Sequence, residues 1–312
     1  ESSHGTLLRV LGEASRGQRT AGTRIESPRK TGKDPRATLA LETMTLLHHD
    51  LLAAPDAEPS RWLFVLAGIY GAGRNWNGVS RAVVRARPEW GVVAVDLRGH
   101  GASPTMDPPH TLQACVEDLN ALATSLPSRP EAILGHSFGG KVALLYGDEP
   151  DHGILSTWVV DSTPDAGSPR GSAWGMLEVL RGAPGPFPSR DDAIAAVQAH
   201  GYAAPVARWM GTNVVPRGDD YGWRLDPDLM EALLRDFFHT DAWSAVEGAH
   251  GPDVHLVQAT ESSILTDEAV ARIEHAGEVT ERAHLHRVEG GHWLNADNPE
   301  ALVRLLVEGL PR

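Results

Sequence analysis

The sequence predicts an α/β fold, a doubly wound and mostly parallel sheet with an inserted helical cap. Three observations carry this prediction. Apolar runs at residues 62–68, 91–96, 131–135 and 154–161 alternate with helix-periodic segments, and continuous apolar runs of this length suit parallel strands covered on both faces. The alternation stops over residues 162–251 and resumes at 254–259 and 283–288, the pattern of a segment inserted between two strands of one sheet. The third run leads into Gly135-His136-Ser137-Phe138-Gly139, a Gly-x-Ser-x-Gly sequence that reads as strand, sharp turn and helix.

Taken in order, residues 1–40 form a basic arm. The first 37 carry eight Lys and Arg against four Asp and Glu and show little apolar periodicity, so they cannot bury enough surface to order themselves. A Ser- and Arg-containing, acid-poor segment of this kind is also compatible with the remnant of an organelle-targeting sequence. The core is expected over residues 41–161 and 252–312. Residues 44–52 open it as a strand, and 62–68 form a buried one that ends in Gly68-Ile69-Tyr70-Gly71-Ala72-Gly73. A helix at 75–85, a strand at 91–96 breaking at Arg98-Gly99-His100-Gly101, and a helix at 111–126 lead to the Ser137 turn. Within the cap, Pro- and Gly-containing breaks separate helical pieces that include 190–200 and 226–238. Trp174, Met176, Trp209, Met210, Trp223 and Phe237 lie there and suit an apolar binding wall; the alternative is that they only glue the cap to the sheet. A helix at 267–275 precedes the last strand, and Glu289-Gly290-Gly291-His292-Trp293 follows it. Asn298 and Pro299 open the final helix as cap and first-turn residue, whose Leu302, Val303, Leu306 and Leu310 make one apolar stripe.

Composition narrows the function. The net charge of −13 argues against a nucleic-acid partner, which needs a concentrated basic surface. No apolar run is long enough to span a membrane, so a soluble protein of the cytoplasm or of an organelle matrix or stroma is expected. The single cysteine, Cys115, excludes an internal disulfide framework. His48-His49 has no companion ligands at metal spacing, so no metal site is expected.

The chemistry centres on Ser137. Small residues are needed two before and two after a serine held in a strained turn, and Gly135 and Gly139 meet that need. The turn exposes the hydroxyl and aims the Phe138 amide at the place where an oxyanion would form. A serine hydroxyl needs an imidazole to take its proton, and among 15 histidines His292 is the best placed, in a Gly-rich loop directly after the last strand and on the same rim as the turn. His136 is a rival by adjacency alone, because neighbouring strand residues point to opposite faces. His100 and His110 lie in loops that reach the rim, where loop hydrogen bonding is the simpler role. The Ile69 amide is the second oxyanion donor, in a loop whose glycines let backbone approach a substrate. Tyr70, Trp174, Trp209 and Trp293 are the candidate substrate-binding side chains.

These pieces together resemble an α/β-hydrolase fold serine esterase. The resemblance rests on Gly68-Ile69-Tyr70-Gly71 with Asn75-Trp76, Asp96-Leu97-Arg98-Gly99-His100-Gly101, the Gly135–Gly140 turn, Val160-Asp161-Ser162-Thr163-Pro164, and Gly290-Gly291-His292-Trp293. Within that superfamily the chain is most similar to the small abhydrolase-domain ester and thioester hydrolases. The resemblance implies hydrolysis of a small-molecule acyl ester or thioester with no cofactor. It also implies a triad acid, which many members carry after the strand at 254–259, where this chain has Thr260-Glu261-Ser262-Ser263. In the similar branch the acid can instead follow the preceding strand, and Asp161 stands there. Asp161 is therefore the expected acid and Glu261 the reserve. Ala67 departs from the pattern, standing where the family usually has a His that helps fix the oxyanion loop. Cleavage of a carbon–carbon bond, perhydrolysis, and a non-catalytic ligand-binding role on the same fold are the alternatives.

Overall fold

The computed structural model describes residues 45–312; the basic arm expected over residues 1–40 lies outside them. Seven strands form the main sheet: β1 (His49–Leu52), β2 (Arg61–Leu66), β3 (Trp90–Val95), β4 (Ala132–His136), β5 (Ser156–Val160), β8 (Asp253–Ala259) and β9 (Ala283–Val288), in the order β1-β3-β2-β4-β5-β8-β9. All neighbours are parallel except β1, which runs antiparallel along β3 at the edge. The opening strand is shorter than the sequence reading, which began it at residue 44.

Side-chain alternation divides the core. Leu63 and Val65 of β2 face one layer, with α1 (Asn77–Ala86) and the C-terminal helix. Phe64 and Leu66 face the other, with α2 (Leu112–Ser125) and α3 (Phe138–Asp148). This is the two-residue period of a strand covered on both faces. Thr111 caps α2, its Oγ1 accepting from the Ala114 amide at 3.1 Å, which satisfies one of the donors that a helix start leaves unpaired. Cys115 is buried on this helix.

Between β5 and β8 the chain builds α4 (Gly171–Gly182), α5 (Arg190–Ala199), α6 (Ala204–Met210), α7 (Pro227–His239) and α8 (Trp243–Glu247). This segment also holds an antiparallel hairpin that the all-helical reading missed, β6 (Val214–Arg217) and β7 (Asp220–Trp223). Its two-residue turn begins at Gly218 with φ +65°, a backbone angle suited to the tight turns that join paired strands. The sequence signal was Gly218-Asp219 between short runs of β-formers, hidden among Pro and Gly breaks. After β8 come α9 (Asp267–Thr280), β9, α10 (Leu294–Asp297) and α11 (Pro299–Gly309), the last capped by Asn298, whose Oδ1 accepts from the Ala301 amide at 3.3 Å. Among the described residues no helix is long and apolar enough to cross a membrane.

Candidate active site

Ser137 sits between the last residue of β4 and the first of α3, with φ +52° and ψ −118°. A positive φ is costly for a residue with a Cβ and persists only where the surroundings enforce it. Here they do. A Cβ added to Gly135 would stand 1.9 Å from the Gly139 carbonyl oxygen, and one on Gly139 would stand 2.4 Å from that of Ala67. Only glycine allows the strand to enter and the helix to leave so closely. The Phe138 N–H opens α3, so it has no acceptor within the helix.

The imidazole comes from the far end of the chain. Residues 289–293 leave β9 through Gly290, at φ +140°, and bring His292 beside β4. Its Nδ1 lies 2.6 Å from Asp161 Oδ2. Asp161 follows β5 and is wholly buried. Because β5 and β8 pair in register, Val160 against Val257, the carboxylate just past Val160 reaches the end of β8. Its Oδ1 accepts from the Ala259 amide at 3.2 Å, and its Oδ2 also accepts from Ser262 Oγ at 2.6 Å. Three donors therefore offset the desolvation of this carboxylate. The His292 side chain keeps 33% exposure while that of Asp161 has none, so one edge of the imidazole is anchored and the rest stays open to the cavity. Glu261, the reserve acid, is exposed, and only its backbone amide reaches this loop, donating to the Gly290 carbonyl at 3.0 Å.

Ser137 and His292 line one cavity of about 290 Å³. No hydrogen bond joins their side chains among the described residues; such contacts are often long until substrate is bound. The loop after β2 forms the adjacent wall. A Cβ added to Gly68 would lie 3.2 Å from Ser137 Cβ, which places this backbone directly against the serine. The loop turns through Tyr70 at φ +65°, with the Gly71 amide donating to the Gly68 carbonyl at 3.0 Å. Although Ala67 supplies no polar side chain, other contacts hold the loop. Asn75 Oδ1 accepts from the Ala72 amide at 2.7 Å, Asn213 Nδ2 donates to the Tyr70 carbonyl at 2.8 Å, and the Tyr70 hydroxyl donates to the Ala173 carbonyl of α4 at 2.8 Å. Burial pushes that hydroxyl well above the usual tyrosine range, so it stays protonated as a donor.

Of the expected binding side chains, Tyr70, Trp209 and Trp293 line the cavity. The Trp209 ring on α6 meets that of Trp293 at 5.4 Å. Trp174 is a correction: it does not line the cavity and packs instead on Phe238 and beneath the Arg235 guanidinium, 5.1 Å from its ring. It faces the outer side of α4, whereas Ala173 and Met176 face inward. Met210, Trp223 and Phe237 belong to the packed core rather than to the cavity wall. None of the lining side chains is Lys, Arg, Asp or Glu.

The sequence gives no role to Ser262 or Lys141, and it offers His136 only as a rival base by adjacency. Ser262 stands just after β8, beside the reserve acid Glu261, and it donates to Asp161. His136 lines the cavity and contacts His292. Lys141, on α3, is fully buried, with Nζ donating to the carbonyls of Asp165, Phe237 and Thr240 at 2.7, 2.8 and 3.0 Å. Burial lowers its pKa from 10.5 to about 8. His100 is buried and stacked on Phe138, its Nδ1 2.9 Å from the Arg98 carbonyl, and burial pushes its pKa down to about 4. Neither His100 nor His110 lines the cavity. His48 pairs with Asp96 at 2.9 Å, and no group of side chains suited to hold a metal ion occurs among the described residues.

The chain is similar to several known proteins in sequence and in fold. The mouse (Mus musculus) sn-1-specific diacylglycerol lipase ABHD11 is 27% identical over 263 residues, covering 81% of each chain. A marine microorganism esterase superposes with a TM-score of 0.71 at 21% identity, covering 85% of this chain and 99% of that one. The thioesterase domain from the curacin biosynthetic pathway superposes at 0.62 with 17% identity, covering 84% and 99%. The sequence model of the alpha/beta hydrolase family matches residues 63–305, and on that match the chain belongs to the alpha/beta hydrolase family.

Proposed function

We propose that this protein hydrolyses carboxylic esters or acyl thioesters through Ser137, His292 and Asp161. The observation that carries the proposal is the 2.6 Å contact between His292 Nδ1 and the buried Asp161 carboxylate, made beside the strained serine turn and in the same cavity. Asp161 fixes the tautomer with the proton on Nδ1, which leaves Nε2 free to take the Ser137 proton. Ser137 Oγ then attacks the acyl carbon, and the amides of Ile69 and Phe138 receive the negative oxygen. The imidazolium returns its proton to the departing alcohol or thiol. Water, deprotonated in turn by His292, attacks the acyl-enzyme and releases the acid, restoring the Ser137 hydroxyl. The sequence relatives and structural neighbours named as lipase, esterase and thioesterase support this class of reaction.

The cavity supports an uncharged, largely apolar acyl group. It offers no cation to a carboxylate and no anion to an amine, and a charge buried there unpaired would be costly. Its volume of about 290 Å³ stands at the low end of the range for small-molecule pockets, which favours short and medium acyl chains. The test is Ser137→Ala assayed on p-nitrophenyl esters of increasing acyl length, with fluorophosphonate labelling of the wild-type chain. We expect turnover to fall by about a thousandfold or more, with an unchanged unfolding midpoint and with label on Ser137 in the wild type. Activity retained in the variant, or no labelling of the wild type, refutes the proposal.

A further inference from the structure

The residue before the serine makes a contact that strand geometry does not foretell. On a regular strand His136 and Ser137 would face opposite ways, but the +52° φ of Ser137 ends the alternation and leaves both residues lining the cavity. His136 is 5% exposed. Its ring lies 5.9 Å from that of Trp76 and 4.6 Å from that of His292. Its Nε2 is 2.7 Å from the backbone carbonyl oxygen of His292. A carbonyl only accepts, so Nε2 carries the proton and Nδ1 the lone pair. Burial first, and the nearness of His292 second, push the His136 pKa down to about 3. The ring is therefore uncharged at neutral pH and sets no charge of its own beside His292.

His292 lies in a loop of glycines, far in sequence from β4, and its two tethers act at different points. Asp161 holds the ring at Nδ1. His136 holds the main chain of the same residue, and it does so from the strand that also delivers Ser137. One rigid element thus fixes both reacting partners, which is the condition for repeated proton transfer over a short distance.

We propose that His136 is a positioning residue for ester hydrolysis, its Nε2–H anchoring the His292 carbonyl so that the imidazole is held at the side of Ser137. This rests on the function proposed above. The test compares His136→Gln, His136→Asn and His136→Leu in the full chain with p-nitrophenyl butyrate. The Gln amide nitrogen reaches the place of Nε2, the Asn amide falls one carbon short, and Leu has no donor. A misplacement of about 1 Å costs on the order of a hundredfold in rate, so Leu and Asn should lower kcat by about that factor while KM moves less than about twofold. Gln should recover kcat to within about threefold of the wild type. A role in packing alone predicts the reverse for Leu and no recovery by Gln. Wild-type kcat in both Leu and Asn variants, or a Gln variant no better than Asn, overturns the proposal. If Leu fails to fold, the Gln and Asn pair decides by itself. Fluorophosphonate labelling of wild-type Ser137 separates the two levels. An unlabelled wild type refutes the esterase function, whereas a labelled wild type with indifferent His136 variants refutes only the anchoring role.

Discussion

Replacing Asp161 by Asn tests the acid in a way the geometry makes specific. The carboxylate receives three donors: Oδ2 takes His292 Nδ1 and Ser262 Oγ, each at 2.6 Å, and Oδ1 takes the Ala259 amide at 3.2 Å. An Asn must put its NH2 on one side or the other. Turned toward Ala259 it meets a backbone N–H that cannot become an acceptor, a buried donor-to-donor clash costing about 1–3 kcal/mol. Turned toward His292 and Ser262 it meets two groups that can adapt, since the hydroxyl rotates and the imidazole changes tautomer. The second arrangement is favoured, and it moves the ring proton to Nε2, where it can no longer accept from Ser137. The expected loss is about 10³–10⁴ in kcat, or about 4–5.5 kcal/mol in the barrier at 1.36 kcal/mol per tenfold. Glu261→Gln, altering an exposed side chain, should leave turnover within about twofold. The assay is kcat and KM on p-nitrophenyl butyrate, with unfolding midpoints to establish that both variants are folded. An Asp161→Asn enzyme that keeps more than a tenth of wild-type turnover, or a loss confined to Glu261→Gln, refutes the reasoning.

Three further outcomes follow from other parts of the structure. Trp209→Ala removes the cap half of the Trp209–Trp293 contact and should shift selectivity toward longer acyl chains, by about tenfold in the ratio of kcat/KM for octanoate over butyrate esters; an unchanged ratio would place the acyl chain elsewhere. Lys141 has a folded-state pKa of about 8 against an ordinary 10.5. Between these values the unfolded chain holds a proton that the folded chain has shed, so this group makes stability rise with pH across that window. The unfolding midpoint of the wild type relative to Lys141→Met should therefore move upward from pH 7 to pH 9.5, and a constant difference would show that the ammonium carries no such penalty. Tyr70→Phe deletes the hydroxyl that reaches the Ala173 carbonyl and should raise KM by about threefold to tenfold at little cost in kcat; an unaltered KM would show that α4 needs no such tie to hold its place over the pocket.

Much of the architecture could be read in advance because its causes are local. The Ser137 turn announces itself through two glycines whose replacement would drive atoms together, and Asn298 with Pro299 marks a helix start by chemistry confined to a few residues. The parallel strands stand out because both of their faces are covered. What stayed hidden depends on orientation. Trp174 and Trp209 both lie on cap helices, yet one faces the cavity and the other an arginine, and nothing in the spacing of aromatic residues over short, Pro-broken helices distinguishes them. The hairpin of β6 and β7 is too brief to establish an alternation. His136 was set aside by a rule that holds along a regular strand and fails at the residue where the strand ends in strain. Ser262 gives no local sign of its role, because its partner Asp161 lies just past the end of β5, 101 positions earlier.

The way the inserted segment joins the sheet has a consequence for how new specificities could arise. It leaves immediately after Asp161 and returns at β8, two strands that are zipped together along their length, so the stumps of any transplanted lid would be held in place before the lid itself was built. The carboxylate would keep its Ala259 and Ser262 partners whatever was spliced between. One condition follows the graft. Lys141 reaches out of the sheet body to carbonyls that the insertion supplies at Asp165, Phe237 and Thr240, and a foreign lid that offers no oxygen there would strand a cation in the interior. Recombining such lids thus calls for exchanging this lysine together with the segment it fastens.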